Sequence, residues 1–113
     1  MTNKQIAEAL DEFGTLLDQA LYFEAHEVLE GAWIEAKRAS HPQTLLLKGL
    51  INAAISFEHV KRDRPHSLKS SRITIQSYER YRDHLVEGMI NYESFKQVHD
   101  KIEAHSYLEI IRE

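Results

Sequence analysis

Three polar side chains, His26, Glu27 and Glu30, have the types and spacing best suited to chemistry. They lie in a predicted helix over residues 22–39. At about 100° per residue, His26 and Glu30 fall inside an arc of apolar and aromatic side chains, with Glu27 at its edge. That arc consists of Tyr22, Phe23, Leu29, Trp33 and Ile34. Because an unpaired charge is costly to bury, the pattern predicts that His26 and Glu30 face other polar groups.

The next predicted helix, over residues 43–62, carries a polar stripe on an otherwise apolar surface. Its members are Lys48, Asn52, Ser56 and His59. A short connection makes the two helices an antiparallel hairpin, in which residues near the connection meet each other. We therefore expect Glu30 to lie near Asn52. His26 is expected near Ser56 or His59.

Three kinds of site fit this pattern. In a structural network, His26 and Glu30 hydrogen-bond each other, and Lys48 or Asn52 completes the set. In a metal site, His26, Glu30 and His59 ligate a divalent ion, since transition metals accept imidazole and carboxylate ligands. In a small-molecule pocket or acid–base pair, a carboxylate orients His26 and tunes its protonation. The candidate pocket residues are His26, Glu27, Glu30, Trp33, Lys48, Asn52, Ser56 and His59.

Known catalytic motifs do not match. The segment from His26 to Glu30 has Glu where a zinc-protease helix has its second His. Di-iron bundles carry a Glu three residues before a His, and this sequence contains no such pair. Ser56 lies one turn from His59, but no Gly-rich elbow surrounds it. Enzyme activity is therefore left open.

The other histidines are expected at the surface or at helix ends; they are His41, His66, His84, His99 and His105. The aromatic residues Trp33, Tyr78 and Tyr81 are interpreted as packing side chains.

Composition indicates a single all-α domain over residues 1–113, folded as a compact bundle of four to five helices around the central hairpin. Only 4 Gly and 2 Pro are present, which is little turn chemistry for a sheet. The predicted helices cover residues 3–18, 22–39, 43–62, 67–86 and 94–111, the last one broken. Capping boxes are predicted at Thr2 with Gln5 and at Ser94 with Gln97. The breaks are expected at residues 18–21, before Pro42, around Pro65 and at residues 88–92.

The absence of Cys excludes disulfides, thiolate metal sites and thiol catalysis. No apolar run reaches the length of a membrane span, so we expect a cytoplasmic protein without a membrane partner.

Residues 59–82 hold 7 basic and 2 acidic side chains in a chain of net charge -4. This basic segment could meet phosphates or pair with the acidic remainder of the chain. The overall acidity argues against nucleic acid as the partner. A narrow apolar stripe on the fourth helix leaves room for a homodimer.

Two sequence stretches resemble the signature of a bacterial and archaeal family called domain of unknown function 309. The first is YFEAHEVLE over residues 22–30 with Trp33 after it, and the second is KGLINAA over residues 48–54 followed by His59. The resemblance spans about residues 13–62 and implies a compact helical bundle without an agreed activity. This chain departs from the family pattern at Ala20, where Gly is usual, and at Lys48 and Asn52, where Gln is frequent. A Lys beside Glu30 would place a cation at the position of the predicted metal, which argues against a metal in this chain.

The leading hypothesis from the sequence is thus a polar pocket between the second and third helices that binds a small ligand or a metal. The alternative is a structural or protein-interaction module in which the His and Glu cluster only fixes helix register.

Overall fold

The computed structural model describes residues 2–113, which form helices and turns and contain no β-strand. The α-helices are α1 (Asn3–Asp18), α2 (Tyr22–Arg38), α3 (Thr44–Arg62), α4 (Ser67–Thr74), α5 (Gln76–Tyr81), α6 (Tyr92–Glu103) and α7 (Ser106–Arg112). A 3₁₀ turn covers Arg82–His84. The all-α prediction is confirmed. Only Ile75 separates α4 from α5, and counting them as one kinked helix gives six helices, slightly above the predicted four to five.

The centre of the fold is α3, which packs on α2, α4 and α5. Its pairing with α2 is the most extensive in the molecule, which confirms the predicted central hairpin. The other side of α2 contacts α1, which also packs on α6. The largest fully buried side chains include Phe13, Phe57, Tyr78 and Phe95, contributed by four different helices. None of the helices within residues 2–113 has both the length and the apolar composition needed to cross a bilayer.

Helix α1 begins and ends at the predicted residues. The Thr2 hydroxyl accepts from the Gln5 N–H at 3.1 Å, and the Gln5 side chain accepts from the Thr2 N–H at 2.8 Å, which confirms the capping box. The predicted turn follows, with Ala20 in the left-handed region at φ 58°. Lys61 donates to the Ala20 carbonyl at 2.8 Å and so ties this turn to α3. A left-handed residue explains why Gly suits this position.

The connection between α2 and α3 is short. Helix α2 ends at Arg38, one residue before the prediction, and the His41 N–H closes the helix by donating to the Ala36 carbonyl at 2.8 Å. Ser40 takes the left-handed conformation at φ 52°. Helix α3 then begins at Thr44, one residue later than predicted. The hairpin is consequently antiparallel, with its closed end at residues 39–43.

The predicted fourth helix, residues 67–86, is wrong as a continuous element. Two hydroxyls in α4 donate back along the helix, Ser71 to the Ser67 carbonyl at 3.0 Å and Thr74 to the Ser70 carbonyl at 2.9 Å. Such bonds compete with the backbone ladder and bend helices, which fits the break after Thr74. The segment ends in the 3₁₀ turn, short of Leu85.

Helix α6 begins at Tyr92, so the capping box predicted at Ser94 is wrong. Asn91 precedes the helix in a left-handed conformation at φ 64°, and its side chain donates to the Asn3 carbonyl at 2.9 Å. This long-range bond between α1 and the start of α6 has no local sequence signal. The predicted break in the last helix is present at residues 104–105, between α6 and α7.

Candidate functional site

The polar residues of α2 are less buried than the helical wheel predicts. The side chain of His26 is 14% exposed, whereas that of Glu30 is 52% exposed and Glu27 also lies at the surface. The Nδ1–H of His26 donates to the Phe23 carbonyl, and Nε2 lies 3.5 Å from Glu30 Oε2. The prediction that Glu30 faces the core is therefore wrong. Only His26 turns inward.

His26 and His59 line one cavity of about 220 Å³ between α2 and α3. We call it the hairpin cavity; its walls are Phe23, His26, Ile55, Glu58, His59 and Arg62. Glu58 lies 3.5 Å from Arg62 and is 16% exposed, so its charge is balanced within the wall. His59 is partly buried, and its imidazole has no hydrogen bond or ion pair with any residue between 2 and 113. The cavity thus presents an unpaired imidazole.

Asn52 and Ser56 do not reach this cavity, contrary to the prediction. Asn52 donates to the Ser77 hydroxyl at 2.5 Å, and Ser71 donates to the Ser56 carbonyl at 2.9 Å, so both positions face α4 and α5. The helical wheel spreads the predicted stripe over about 80° of the surface of α3. At about 100° per residue, His59 lies about 20° from Lys48, whereas Asn52 and Ser56 are rotated by about 40° and 80°. The predicted stripe therefore spans two different interfaces of α3.

Lys48 contacts Trp33 and not Glu30. Its Nζ lies 4.6 Å from the centroid of the indole ring, and Lys37 lies over the same ring at 5.0 Å. Such cation–π contacts are modest at exposed sites. Trp33 is partly buried against the core, as expected of a packing residue. Neither Lys48 nor Trp33 belongs to the walls of the hairpin cavity.

The metal hypothesis loses its geometric basis. Within residues 2–113, no three His, Asp or Glu side chains come together as a metal ion requires. The proposed set of His26, Glu30 and His59 is divided, because Glu30 lies on the outer surface of α2 while His59 lines the cavity. The three side chains proposed as ligands therefore do not share one site.

The structure contains a second cluster of polar and aromatic side chains, around His105, that the residue pattern did not predict. The Tyr107 N–H donates to His105 Nδ1 at 3.0 Å, which caps α7, and His105 Nε2 lies 2.6 Å from the Tyr22 hydroxyl. Because Nδ1 accepts, the neutral ring carries its proton on Nε2 and donates it to Tyr22. Phe57 stacks on the imidazole with ring centroids 4.5 Å apart. Burial, with Tyr107 and Glu58 nearby, raises the pKa of Tyr22 to about 12.

The prediction that His99 lies at the surface or at a helix end is wrong, because this residue is only 6% exposed within α6. Its Nδ1–H donates to the Phe95 carbonyl at 2.8 Å, and its ring lies 5.7 Å from that of Tyr78. Burial lowers the pKa of His99, although the bond to Phe95 opposes this shift. Burial also lowers the pKa of His105. Both rings are consequently stabilised in their neutral form.

These two histidines predict that the protein loses stability in mild acid. Both have a folded-state pKa below the ordinary value of 6.5, so at pH values below that the unfolded chain binds protons first. The free energy of unfolding is therefore unaffected by the titration of these two rings above pH 6.5. It falls as the pH drops towards their lowered pKa values. Urea unfolding from about pH 8 to about pH 5 should show a falling midpoint.

The assignment to the buried rings is tested by a double variant with His99→Gln and His105→Asn. The control is His66→Asn, at an exposed position. The double variant should show a flatter dependence than the wild type, and His66→Asn should not. An equal slope in all three proteins would contradict the assignment to the buried rings.

Several cations of the basic segment are engaged within the fold. Arg82 pairs with Glu103 at 2.7 Å, and Arg112 joins the same carboxylate at 3.1 Å. The Tyr78 hydroxyl donates to Glu103 at 2.9 Å. Arg72 donates to the Ile111 carbonyl at 3.1 Å. The segment thus helps to hold α7 in place.

The fold and the site together define an all-α protein with a small, partly apolar cavity between its two central helices. Residues 10–70 match the family described as Domain of unknown function (DUF309), and this match covers more than half of the chain. The chain belongs to that family. The matched region runs from α1 into α4 and contains both walls of the hairpin cavity. Searches of the curated proteins and of the solved structures found no match.

Proposed function

We propose that the hairpin cavity binds a small molecule that consists of one ring, or an apolar group of similar size, with a hydrogen-bonding substituent. The observation that carries this proposal is the unpaired imidazole of His59 on the cavity wall. A neutral imidazole has one donor and one acceptor nitrogen. Because neither nitrogen of His59 has a partner in the protein, a bound substituent can pair with either of them.

The size of the cavity restricts the ligand. An engineered apolar cavity of about 150 Å³ binds benzene. The hairpin cavity, at about 220 Å³, is larger than that and smaller than common drug-binding pockets of about 300 Å³ or more. It therefore suits a single ring with a short substituent.

The walls determine which substituent is favoured. Phe23 and Ile55 offer apolar surface, and Phe23 remains 46% exposed, with its ring 4.8 Å from that of His26. The charges of Glu58 and Arg62 balance each other. With neutral imidazoles the wall has no net charge, so a phenol-like hydroxyl suits it.

The proposal is tested by titrating the protein with phenol and with benzoate while following the imidazole resonances of His59 and the amides of Phe23 and Ile55 by NMR. We expect saturable shifts in these groups. His59→Ala should weaken binding about tenfold, because the substituent loses its partner. Phenol should bind more tightly than benzoate, because the wall carries no net charge to pair with a carboxylate.

The control is His66→Asn, since His66 is exposed and lies outside the cavity walls. This variant should bind both probes like the wild type. The proposal fails if neither probe produces saturable shifts in the folded protein, or if His59→Ala binds them as tightly as the wild type.

The second candidate function is a protein-interaction module, and the outer face of α2 supports it. Phe23 is 46% exposed and Ile34 is 38% exposed on this face. Gly31 lies between them, where an added Cβ would meet no atom within 4 Å. If the folded protein binds neither probe, this interaction face becomes the better account of the molecule.

A further inference from the structure

A second cavity, of about 430 Å³, lies at the closed end of the α2–α3 hairpin. We call it the connection cavity. Its walls come from the start of α1, the α2–α3 connection, the start of α3, the 3₁₀ turn and the turn before α6: Asn3, His41, Pro42, Gln43, Leu46, His84, Met89 and Ile90. This space is separate from the hairpin cavity, with which it shares no wall residue.

Gln43 gives this cavity its chemical character. The residue is only 4% exposed, and its Nε2 donates to the Ile90 carbonyl. Its Oε1 is buried and has no hydrogen-bond partner among residues 2–113. The orientation of the amide is determined by Ile90, because the opposite orientation would place two oxygens against each other. The cavity wall therefore contains an acceptor whose burial without a partner is destabilising.

The remaining polar groups of the wall are already engaged or exposed. The Gln43 N–H donates to His41 Nδ1 at 3.1 Å, so the neutral ring donates from Nε2 to Asn3 Oδ1 at 3.0 Å. His84 lies at the surface. The other wall residues, Pro42, Leu46, Met89 and Ile90, are apolar. A ligand that fits this wall is mostly apolar and carries a donor.

We propose that the connection cavity is a binding site for a small apolar molecule with an N–H donor, which Gln43 Oε1 accepts. Because Oε1 is fully buried, a donor can reach it only when a wall side chain shifts. Met89 is the unbranched side chain of the wall, and its thioether accepts only the Val86 N–H at 3.4 Å, so it is the one best able to adapt. Binding then removes an unpaired buried acceptor while covering the apolar wall. The proposal does not depend on ligand binding at the hairpin cavity.

The test compares indole, which has an N–H donor, with benzofuran, which has nearly the same shape and none. The chain contains 2 Met, so labelling the methionine methyl groups makes Met89 a direct reporter of the cavity. Titration of the full-length protein should shift the Met89 methyl resonance. We expect indole to bind at least about fivefold more tightly than benzofuran, because only indole pairs with Oε1.

Two variants assign the preference to Gln43. Gln43→Met removes the acceptor at nearly constant volume and should give indole and benzofuran equal affinity. Gln97→Met, at an exposed position in α6, should keep the preference of the wild type. The proposal is overturned if the two probes bind the wild type equally, or if neither shifts the Met89 methyl resonance up to the solubility limit of benzofuran. The comparison in the wild type holds even if Gln43→Met fails to fold.

Discussion

Replacement of His105 by Ala is expected to lower the free energy of unfolding by about 3 kcal/mol. The imidazole has three roles in the structure: it caps α7 through the Tyr107 N–H, stacks on Phe57 and partners the Tyr22 hydroxyl. Loss of a helix cap costs about 1 kcal/mol and loss of an aromatic pair about 0.5–1.5 kcal/mol. Tyr22 is 3% exposed, so its hydroxyl would lose its partner where little water reaches it.

Urea unfolding at neutral pH measures this effect, and His105→Asn is the matched control. Asn can still accept the Tyr107 N–H as a cap, so this variant should lose about 1 kcal/mol less than His105→Ala. Tyr22→Phe removes only the hydroxyl and separates that contact from the other two. An unfolding midpoint for His105→Ala equal to that of the wild type would show that His105 does not support α7.

Gly49→Ala is expected to destabilise the protein by about 2 kcal/mol, although Ala is the better helix former. An added Cβ at Gly49 would lie 3.2 Å from the Cα of Tyr78 and 3.3 Å from the carbonyl oxygen of Ser77. Both atoms belong to the backbone of α5, which cannot move aside as a side chain can. The cost of forcing α3 and α5 apart therefore exceeds the gain in helix propensity.

The matched control is Gly31→Ala in α2, where an added Cβ would meet no atom within 4 Å. This substitution should stabilise the protein by about 0.5–1 kcal/mol, because Gly in the middle of a helix is unfavourable relative to Ala. Thermal and urea unfolding of both variants give the comparison directly. Equal shifts of the same sign at the two positions would contradict the close approach of α5 to Gly49.

Local sequence signals account for much of the helical architecture. Helix α1 matches its prediction because the capping box of Thr2 and Gln5 acts within three residues and the apolar stripe acts within one helix. The α2–α3 hairpin follows from the break at Pro42 and from the apolar surface of α3. The division of the fourth helix was not predicted, because Ser and Thr are common within helices and only the structure shows that Ser71 and Thr74 bond back to the backbone before the break.

The pattern of residue types predicted only part of the candidate site. A wheel orients side chains about one helix axis but does not say which neighbour each face meets. His26 and His59 line one cavity, whereas Asn52 and Ser56 lie on the same predicted stripe and contact α4 and α5. Glu30 falls within the aromatic arc of the wheel, and yet its side chain is 52% exposed.

By itself, then, the sequence determined the all-α class, the central hairpin and the presence of an inward-facing imidazole on α2. Helix periodicity and end signals depend on neighbours within a few residues, so they can be read along the chain. Only the tertiary structure decided which polar groups have partners. Tyr22 meets His105 across 83 positions and Gln43 meets Ile90 across 47. The Gln43 Oε1 is the acceptor that the contact with Ile90 leaves without a partner, and His59 has no partner because no polar side chain of a neighbouring helix bonds to its ring.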